Sequence, residues 1–262
     1  LIVVSLMLFG TWNARNPQIS HYDLKINKST PNLTDLHLVM VSDIHLGNIV
    51  DNERLADMVR RINELEPDVV LFAGDVVDED INTFLEQEMS QTLKALKPKL
   101  GCFAVLGNHE YIGGHAEDIV HHFEEAGIVV LRDSYEKVAD SFYIVGRDDL
   151  ASTRFGGKER KPLDIIMEDL DKSLPIILLD HQPTNLDEAQ KAGVDLQLSG
   201  HTHRGQFFPN NLITSRIFEV DWGYLEKKSL QVIVSSGYGT WGPPIRLGNK
   251  PELVEVNISF GD

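Results

Sequence analysis

The sequence has a single cysteine and no apolar run long enough to cross a membrane. The first shortage excludes an intramolecular disulfide, and the second means that no complete membrane-spanning helix lies within these residues. Cys102 has no partner, so an intramolecular disulfide is impossible. The apolar residues that follow it, 103–106, predict a buried strand in which the thiol acts as a small hydrophobe without a catalytic role. The apolar stretch Leu1–Phe9 is far shorter than the ~20 residues that a spanning helix needs.

This short apolar start leaves two interpretations open for residues 1–35. They are predicted to form an N-terminal arm, which is either a first strand or packed arm of the domain, or the end of a truncated membrane anchor. The remainder, residues 36–262, is predicted to be one catalytic domain, since 262 residues with 42% hydrophobic side chains suit one large α/β unit.

Basic residues are also scarce. The chain has 24 Lys and Arg against 40 Asp and Glu, for a net charge of −16. Nucleic-acid surfaces depend on clustered cations that neutralise phosphates, so no nucleic-acid partner is expected. An anionic substrate is still allowed, because bound divalent cations reverse the local electrostatic field.

Six short apolar runs each end in polar or glycine-rich residues, and helical patterns separate several of them. The runs are 38–41, 69–73, 103–106, 176–179, 196–198 and 232–234. Helical spacing of apolar residues follows in 52–65, 81–96 and 116–126. Alternating strands and helices predict an α/β fold with a largely parallel core, in which ligands gather beyond the carboxyl ends of the strands.

Those strand ends carry oxygen and nitrogen donors in succession. Residues two apart in extended chain point the same way, so Asp43 with His45, and His201 with His203, can each present two donors together. Asp75, Asn108 and His181 add three more. Without sulfur ligands the set suits Mn²⁺, Fe²⁺, Co²⁺ or Zn²⁺, and seven donors predict two ions that share a carboxylate.

Each of these motifs alone has an ordinary structural explanation. Gly74-Asp75 is typical of a turn, Asn108 of a helix cap, and a single buried histidine such as His181 of a packed side chain. Their conjunction at five successive strand ends favours a metal centre. Two divalent ions outweigh the charge of two carboxylates and one hydroxide, so the predicted centre attracts a phosphate.

The ordered motifs resemble those of the calcineurin-like metallophosphoesterases, and especially of their bacterial membrane-associated branch. The resemblance rests on Asp43-x-His45, Gly74-Asp75-x-x-Asp78, Gly107-Asn108-His109-Glu110, His181 and Gly200-His201-x-His203, with residues 201–206 and 239–246 supporting the branch. It implies a β-sandwich of two mixed sheets flanked by helices (α/β/β/α). It also favours the membrane-anchor interpretation of Leu1–Gly10.

The resemblance further implies a role for each residue. Asp43, His45 and His203 would hold one metal, Asn108, His181 and His201 the other, and Asp75 would bridge them. His109 would protonate or stabilise the leaving-group oxygen, and Asp78 would orient His109. The protein Ser/Thr phosphatases of the superfamily follow the last Asp of the second motif with Arg-Gly, whereas Glu79 and Asp80 stand here, which disfavours a protein substrate.

We therefore predict a dinuclear metal-dependent phosphoesterase that uses two divalent ions (Mn, Fe or Zn) and a metal-bridging hydroxide to cleave a phosphomonoester or phosphodiester. Phospholipids, lipid-linked phosphates and sugar nucleotides are the candidate substrates, because Phe207, Phe208 and Trp241 could form an apolar wall; ordinary packing is the alternative. A non-catalytic membrane-tethered interaction module on the same fold is the rival function. Arg15, Lys25 and Lys28 indicate a membrane-associated protein with a cytoplasmic catalytic domain.

Overall fold

Twelve strands and ten α-helices make up the part of the chain that this computed structural model describes, residues 1–261. The strands are β1 (Gln18–Ile26), β2 (Asp35–Val41), β3 (Val69–Ala73), β4 (Gly101–Val105), β5 (Ile128–Val130), β6 (Ser134–Val138), β7 (Phe142–Gly146), β8 (Ile176–Leu179), β9 (Leu196–Ser199), β10 (Gly223–Lys227), β11 (Leu230–Val234) and β12 (Glu252–Phe260). The helices are α1 (Ile2–Ala14), α2 (Asn52–Glu64), α3 (Asn82–Glu86), α4 (Met89–Leu93), α5 (Asn108–Ile112), α6 (Ala116–Glu125), α7 (Ala151–Phe155), α8 (Leu163–Ile166), α9 (Leu186–Ala192) and α10 (Asn211–Ile217).

The strands form two six-stranded sheets, and both sheets are mixed. The first has the order β1-β12-β2-β3-β4-β5, with β12 antiparallel to β2 and every other pair parallel. The second has the order β10-β11-β9-β8-β7-β6, with antiparallel pairs only at its two outer edges. The parallel strands at the centre of each sheet therefore send their carboxyl ends in one direction.

Apolar side chains fill three layers, two of which come from the alternation of residues along single strands. On β2, Leu38 and Met40 face the second sheet, while Val39 and Val41 face the helices, and all four are fully buried. A third layer lies between the second sheet and helices α8 and α9. The layers follow the order helix, sheet, sheet, helix, so the predicted α/β/β/α sandwich is confirmed.

All six predicted apolar runs are strands, and residues 52–65 and 116–126 are helical as predicted. The run 81–96 is instead two short helices, α3 and α4, because Glu88 between them adopts a left-handed backbone with φ 51°.

The N-terminal segment is a helix, so the alternative of a first strand at residues 1–9 is wrong. Only the end of α1 is tied to the domain: the Gly10 carbonyl accepts from the Arg246 amide (3.0 Å), and Asn13 Nδ2 donates to the carbonyl of Asn249 (2.7 Å). Residues 1–9 are exposed on every side. Within residues 1–261 no helix combines the length and apolar character that crossing a bilayer requires. Later in this segment, β1 pairs with β12 along its whole length.

Candidate active site

The predicted site residues leave the carboxyl ends of five strands, three in the first sheet and two in the second. Asp43 and His45 follow β2, Asp75 and Asp78 follow β3, Asn108 and His109 follow β4, His181 follows β8, and His201 and His203 follow β9. The sandwich directs these ends to one edge, and the structure brings the side chains together there. All of them are buried except Asp78, Asn108 and His201, which are partly buried.

Asp43, His45 and His203 form the first group of donors. The Nε2 atoms of His45 and His203 are 3.1 Å apart, and Nε2 of His203 is 3.4 Å from Oδ1 of Asp43. One donor atom from each of the three residues lies within 4.8 Å of the other two, so a single cation could bind all three atoms. Burial and the nearby His45 and Arg246 hold the pKa of His203 well below its usual range, so the imidazole is neutral, as a metal ligand must be.

Asp75, His181 and His201 form the second group. Nε2 of His181 lies 3.1 Å from Oδ2 of Asp75. Nδ1 of His181 donates to the Ala73 carbonyl at 2.8 Å, which fixes the tautomer and leaves the Nε2 lone pair for a ligand. Burial and the neighbouring His181 lower the pKa of His201 to about 4, so this imidazole is neutral too.

Several buried polar atoms at the site have no hydrogen-bond partner among residues 1–261, and two of them belong to predicted ligands of the second metal. These two are Oδ1 of Asn108 and Nε2 of His181. An unpaired buried polar atom costs about 1–3 kcal/mol, so a native fold keeps such atoms where a ligand satisfies them. Both atoms belong to the predicted second metal site. The donor set therefore fits a divalent cation.

The backbone at the ligands is strained. Asp43, His45, Asp75, His201 and His203 all have φ between 47° and 71°, in the left-handed region that side chains other than glycine rarely adopt. Such strain costs on the order of 1–3 kcal/mol per residue and persists at functional sites. Each loop turns sharply enough to aim its donor back over the strand end.

Glycines before the ligands allow two carboxylates to approach neighbouring backbone. A Cβ on Gly107 would lie 2.2 Å from Oδ1 of Asp75, and a Cβ on Gly200 would lie 2.2 Å from Oδ2 of Asp43. The same oxygens accept hydrogen bonds from the amides of His109 (2.9 Å) and His201. The two aspartates are thus positioned by the loops that carry other ligands.

Glu110 is a positioning residue that sequence reasoning left without a role. Its buried carboxylate accepts four backbone hydrogen bonds, from the amides of Asp75 (3.2 Å), Val76 (2.6 Å), Val77 (3.0 Å) and Gly107 (2.7 Å). One carboxylate therefore joins the loop after β3 to the loop after β4. The only signal for this role in the sequence was the carboxylate directly after Asn108-His109.

The family model of the calcineurin-like phosphoesterases matches residues 36–205. The chain belongs to this family. It is a metal-dependent phosphoesterase, as the sequence predicted.

Relatives and solved structures agree with this assignment. An uncharacterized metallophosphoesterase of Aquifex aeolicus is 38% identical over 246 residues, which cover 90% of this chain and 92% of that protein. A Danio rerio protein named as a transmembrane protein with metallophosphoesterase domain is 32% identical; the match covers 98% of this chain but only 61% of that protein. A dimetal phosphatase from Danio rerio shares the fold with a TM-score of 0.50, at 12% identity over 77% of this chain and 87% of that one.

In the phosphoesterase, Asp78 lies between two histidines. Its Oδ1 is 3.3 Å from Nδ1 of His109 and 3.7 Å from Nδ1 of His45. Burial alone would lower the pKa of His109, but the Asp78 carboxylate and the charge of Asp75 outweigh it and raise this pKa to about 9. The imidazole is therefore protonated at neutral pH in the metal-free protein. The same contacts hold the pKa of Asp78 well below its usual range despite partial burial.

Arg246 supports the first group of ligands from below. It is fully buried and donates to the carbonyls of Gly237 (3.2 Å) and Gly239 (2.7 Å), with Nη2 only 3.3 Å from Nδ1 of His203. Burial lowers the pKa of Arg246 to about 10, so it stays charged at neutral pH. The Gly- and Pro-rich segment 237–251 is a loop without helix or strand, and this guanidinium bonds to two of its carbonyls.

A cavity of about 530 Å³ opens directly over the ligands of the phosphoesterase. Asp75, Asn108, His109, His201 and His203 line its floor, and its walls include Phe207, Ile213 and Trp241 together with polar Gln206, Asn210 and Thr214. The predicted residues Phe207 and Trp241 therefore do stand beside the site. Phe208 instead points outward and is 64% exposed.

Proposed function

We propose that this phosphoesterase cleaves a phosphomonoester or phosphodiester that carries an apolar group, a phospholipid or lipid-linked phosphate, at a membrane surface. The observation that carries the proposal is the apolar wall of the cavity, where Phe207, Ile213 and Trp241 stand beside the proposed metal ligands. Apolar surface contributes about 25 cal/mol per Å² when it leaves water. A lipid chain on the substrate would gain that energy next to the phosphate.

The lining of the cavity also argues against recognition of a phosphate by basic side chains. Among residues 1–261 no Lys or Arg side chain lines it. The phosphate would thus depend on two divalent cations, held by Asp43, His45 and His203 and by Asn108, His181 and His201, with Asp75 shared. When bound, such cations act as Lewis acids on phosphoryl oxygens and lower the pKa of a bound water.

His109 is the proposed general acid. Asp78 engages Nδ1 of the imidazole, which leaves Nε2 as the nitrogen that can protonate the leaving-group oxygen. A positioned acid contributes about 10²–10⁴-fold to the rate. We therefore expect His109→Ala to keep its metals and to lose activity in that range on an alkyl phosphoester, with a smaller loss on a p-nitrophenyl ester. Wild-type turnover of the alkyl ester by this variant would refute the assignment.

Exposed apolar side chains on α1 and α10 support the proposed membrane association. Residues 1–9 of α1 are exposed, and so are Leu212, Ile213 and Ile217 of α10. The two helices lie on connected segments, because Phe208, just before α10, bonds through its amide to the carbonyl of Leu247, and Leu247 packs beside Gly10. Large exposed apolar patches mark membrane or protein interaction sites. Because Arg15 follows α1, we propose that the catalytic domain lies on the cytoplasmic side.

The test is a paired substrate panel with Mn²⁺, Fe²⁺ or Zn²⁺, in which each headgroup phosphate is offered with and without its acyl chains. We expect kcat/KM to be at least tenfold higher for the acylated member, as burial of about 60 Å² of apolar surface implies. Trp241→Ala should reduce this preference, whereas Ile165→Ala, an exposed apolar residue outside the cavity, should not. Equal turnover of both members of every pair would remove the lipid proposal and leave the phosphoesterase assignment intact.

A further inference from the structure

A second cavity, of about 460 Å³, lies at the base of α1, outside the catalytic centre. Phe9 and Asn13 of α1 form one side, and Arg204, Trp222 and Lys250 form the others. The turn 203–205 separates the two cavities, since His203 and Gly205 line the catalytic one whereas Arg204 lines this one. Arg204 reaches the second cavity because its backbone is left-handed, with φ 48°.

The Arg204 guanidinium lies over the Trp222 ring and has no anionic partner among the described residues. Its central carbon lies 3.9 Å from the centre of the Trp222 ring, and Trp222 is itself fixed by a hydrogen bond from Nε1 to Glu252 (2.9 Å). Such stacking leaves the N–H edges of an arginine free to bind. Over residues 1–261, neither Arg204 nor Lys250 has a carboxylate oxygen within 4.0 Å.

The cavity gathers positive charge in a chain with a net charge of −16, because among residues 1–261 two basic side chains and no Asp or Glu line it. Exposed apolar residues of α1 lie at the same cavity or next to it on the helix: Phe9 is 52% and Trp12 58% exposed. Aromatic residues next to cations are typical of protein segments that lie at the level of the lipid headgroups.

We infer that this cavity binds a phosphate group, and that its source is an anionic phospholipid whose acyl chains lie along α1. Arg204 would grip two phosphate oxygens through its planar guanidinium, and Lys250 would add a second charge. The lipid source depends on the proposed membrane association, but the phosphate site does not. The site is separate from the catalytic centre, so binding there needs neither metal nor turnover.

The test is sedimentation with vesicles of phosphatidylcholine alone or with phosphatidylglycerol, in EDTA. Each cation near an anionic surface changes binding by about fivefold, so R204Q/K250Q should bind the phosphatidylglycerol vesicles about 25-fold more weakly than the wild type. K94Q/K97Q removes the same charge from exposed lysines that line neither cavity, and should change binding less than about threefold. All three proteins should bind the neutral vesicles alike. R204K, which keeps the charge but loses the planar fork, should be intermediate.

Glycerol phosphate, titrated by calorimetry, separates the two sources of phosphate. Loss of glycerol phosphate binding in R204Q/K250Q, with vesicle binding unchanged, would overturn the lipid source and support a soluble phosphate ester at the same site. If no protein binds vesicles, the membrane association fails, and the titration alone decides the phosphate site. Equal binding of both probes by R204Q/K250Q and K94Q/K97Q would overturn the inference entirely.

Discussion

Replacing Glu110 by glutamine should destabilise the fold strongly, although the two side chains have the same shape. Oε1 accepts from the amides of Val76 and Val77, and Oε2 accepts from those of Asp75 and Gly107. An amide offers only one acceptor oxygen, so either orientation loses two of the four bonds and directs an NH₂ group at two backbone donors. Hydrogen bonds to a charged group contribute about 1.5–3 kcal/mol each, which gives a loss of about 3–6 kcal/mol.

We expect a loss at the lower end of this range. Burial and the charge of Asp75 disfavour the charged form of Glu110 and raise its pKa. The neutral amide of glutamine is not repelled by Asp75, which offsets part of the loss. The assay is urea unfolding in EDTA with linear extrapolation, so that metal binding does not contribute. Glu124→Gln, at an exposed residue of α6, is the control and should change stability by less than about 0.5 kcal/mol. A loss below about 1 kcal/mol for Glu110→Gln, at an unchanged slope, would refute the reasoning.

Two further predictions concern the same region of the fold. Gly107→Ala would force Oδ1 of Asp75 from its place, so the Mn²⁺ affinity measured by calorimetry should fall about 10–100-fold. Gly127→Ala, where a Cβ meets open space, is the control and should leave the affinity unchanged. Equal Mn²⁺ affinities of the two variants would contradict the close approach of Gly107 to Asp75. Burial raises the pKa of Cys102 to about 12, so the thiol stays protonated at pH 8 and should react with a disulfide reagent only after unfolding in urea. Complete labelling of the native protein within seconds would contradict this.

Motif order in the sequence predicted the site well because each donor sits directly after an apolar run. A strand followed by a polar turn fixes both the place of Asp75 or His181 in the sheet and the edge to which it points. The contacts between loops could not be predicted in this way. Glu110 and Arg246 act on backbone groups of distant segments, and nothing in the local sequence specifies those partners.

The sheet edges and the N-terminus were predicted less completely. β1 and β12 alternate polar and apolar residues, which is a strand signal, but their pairing joins residue 18 to residue 252 across the whole chain. For Leu1–Phe9, composition alone could not distinguish strand from helix, because a short run of apolar residues suits either. The division of the chain at residue 35 stays a prediction, as does the metal assignment.

The most direct test of a two-metal phosphoesterase is the number of ions that each chain binds. Equilibrium dialysis against Mn²⁺ followed by elemental analysis should give two ions per chain for the wild type. His203→Ala should retain one, and Asp75→Ala, which removes the proposed shared carboxylate, should bind neither tightly. One ion per wild-type chain, or two tightly bound ions in Asp75→Ala, would contradict the account.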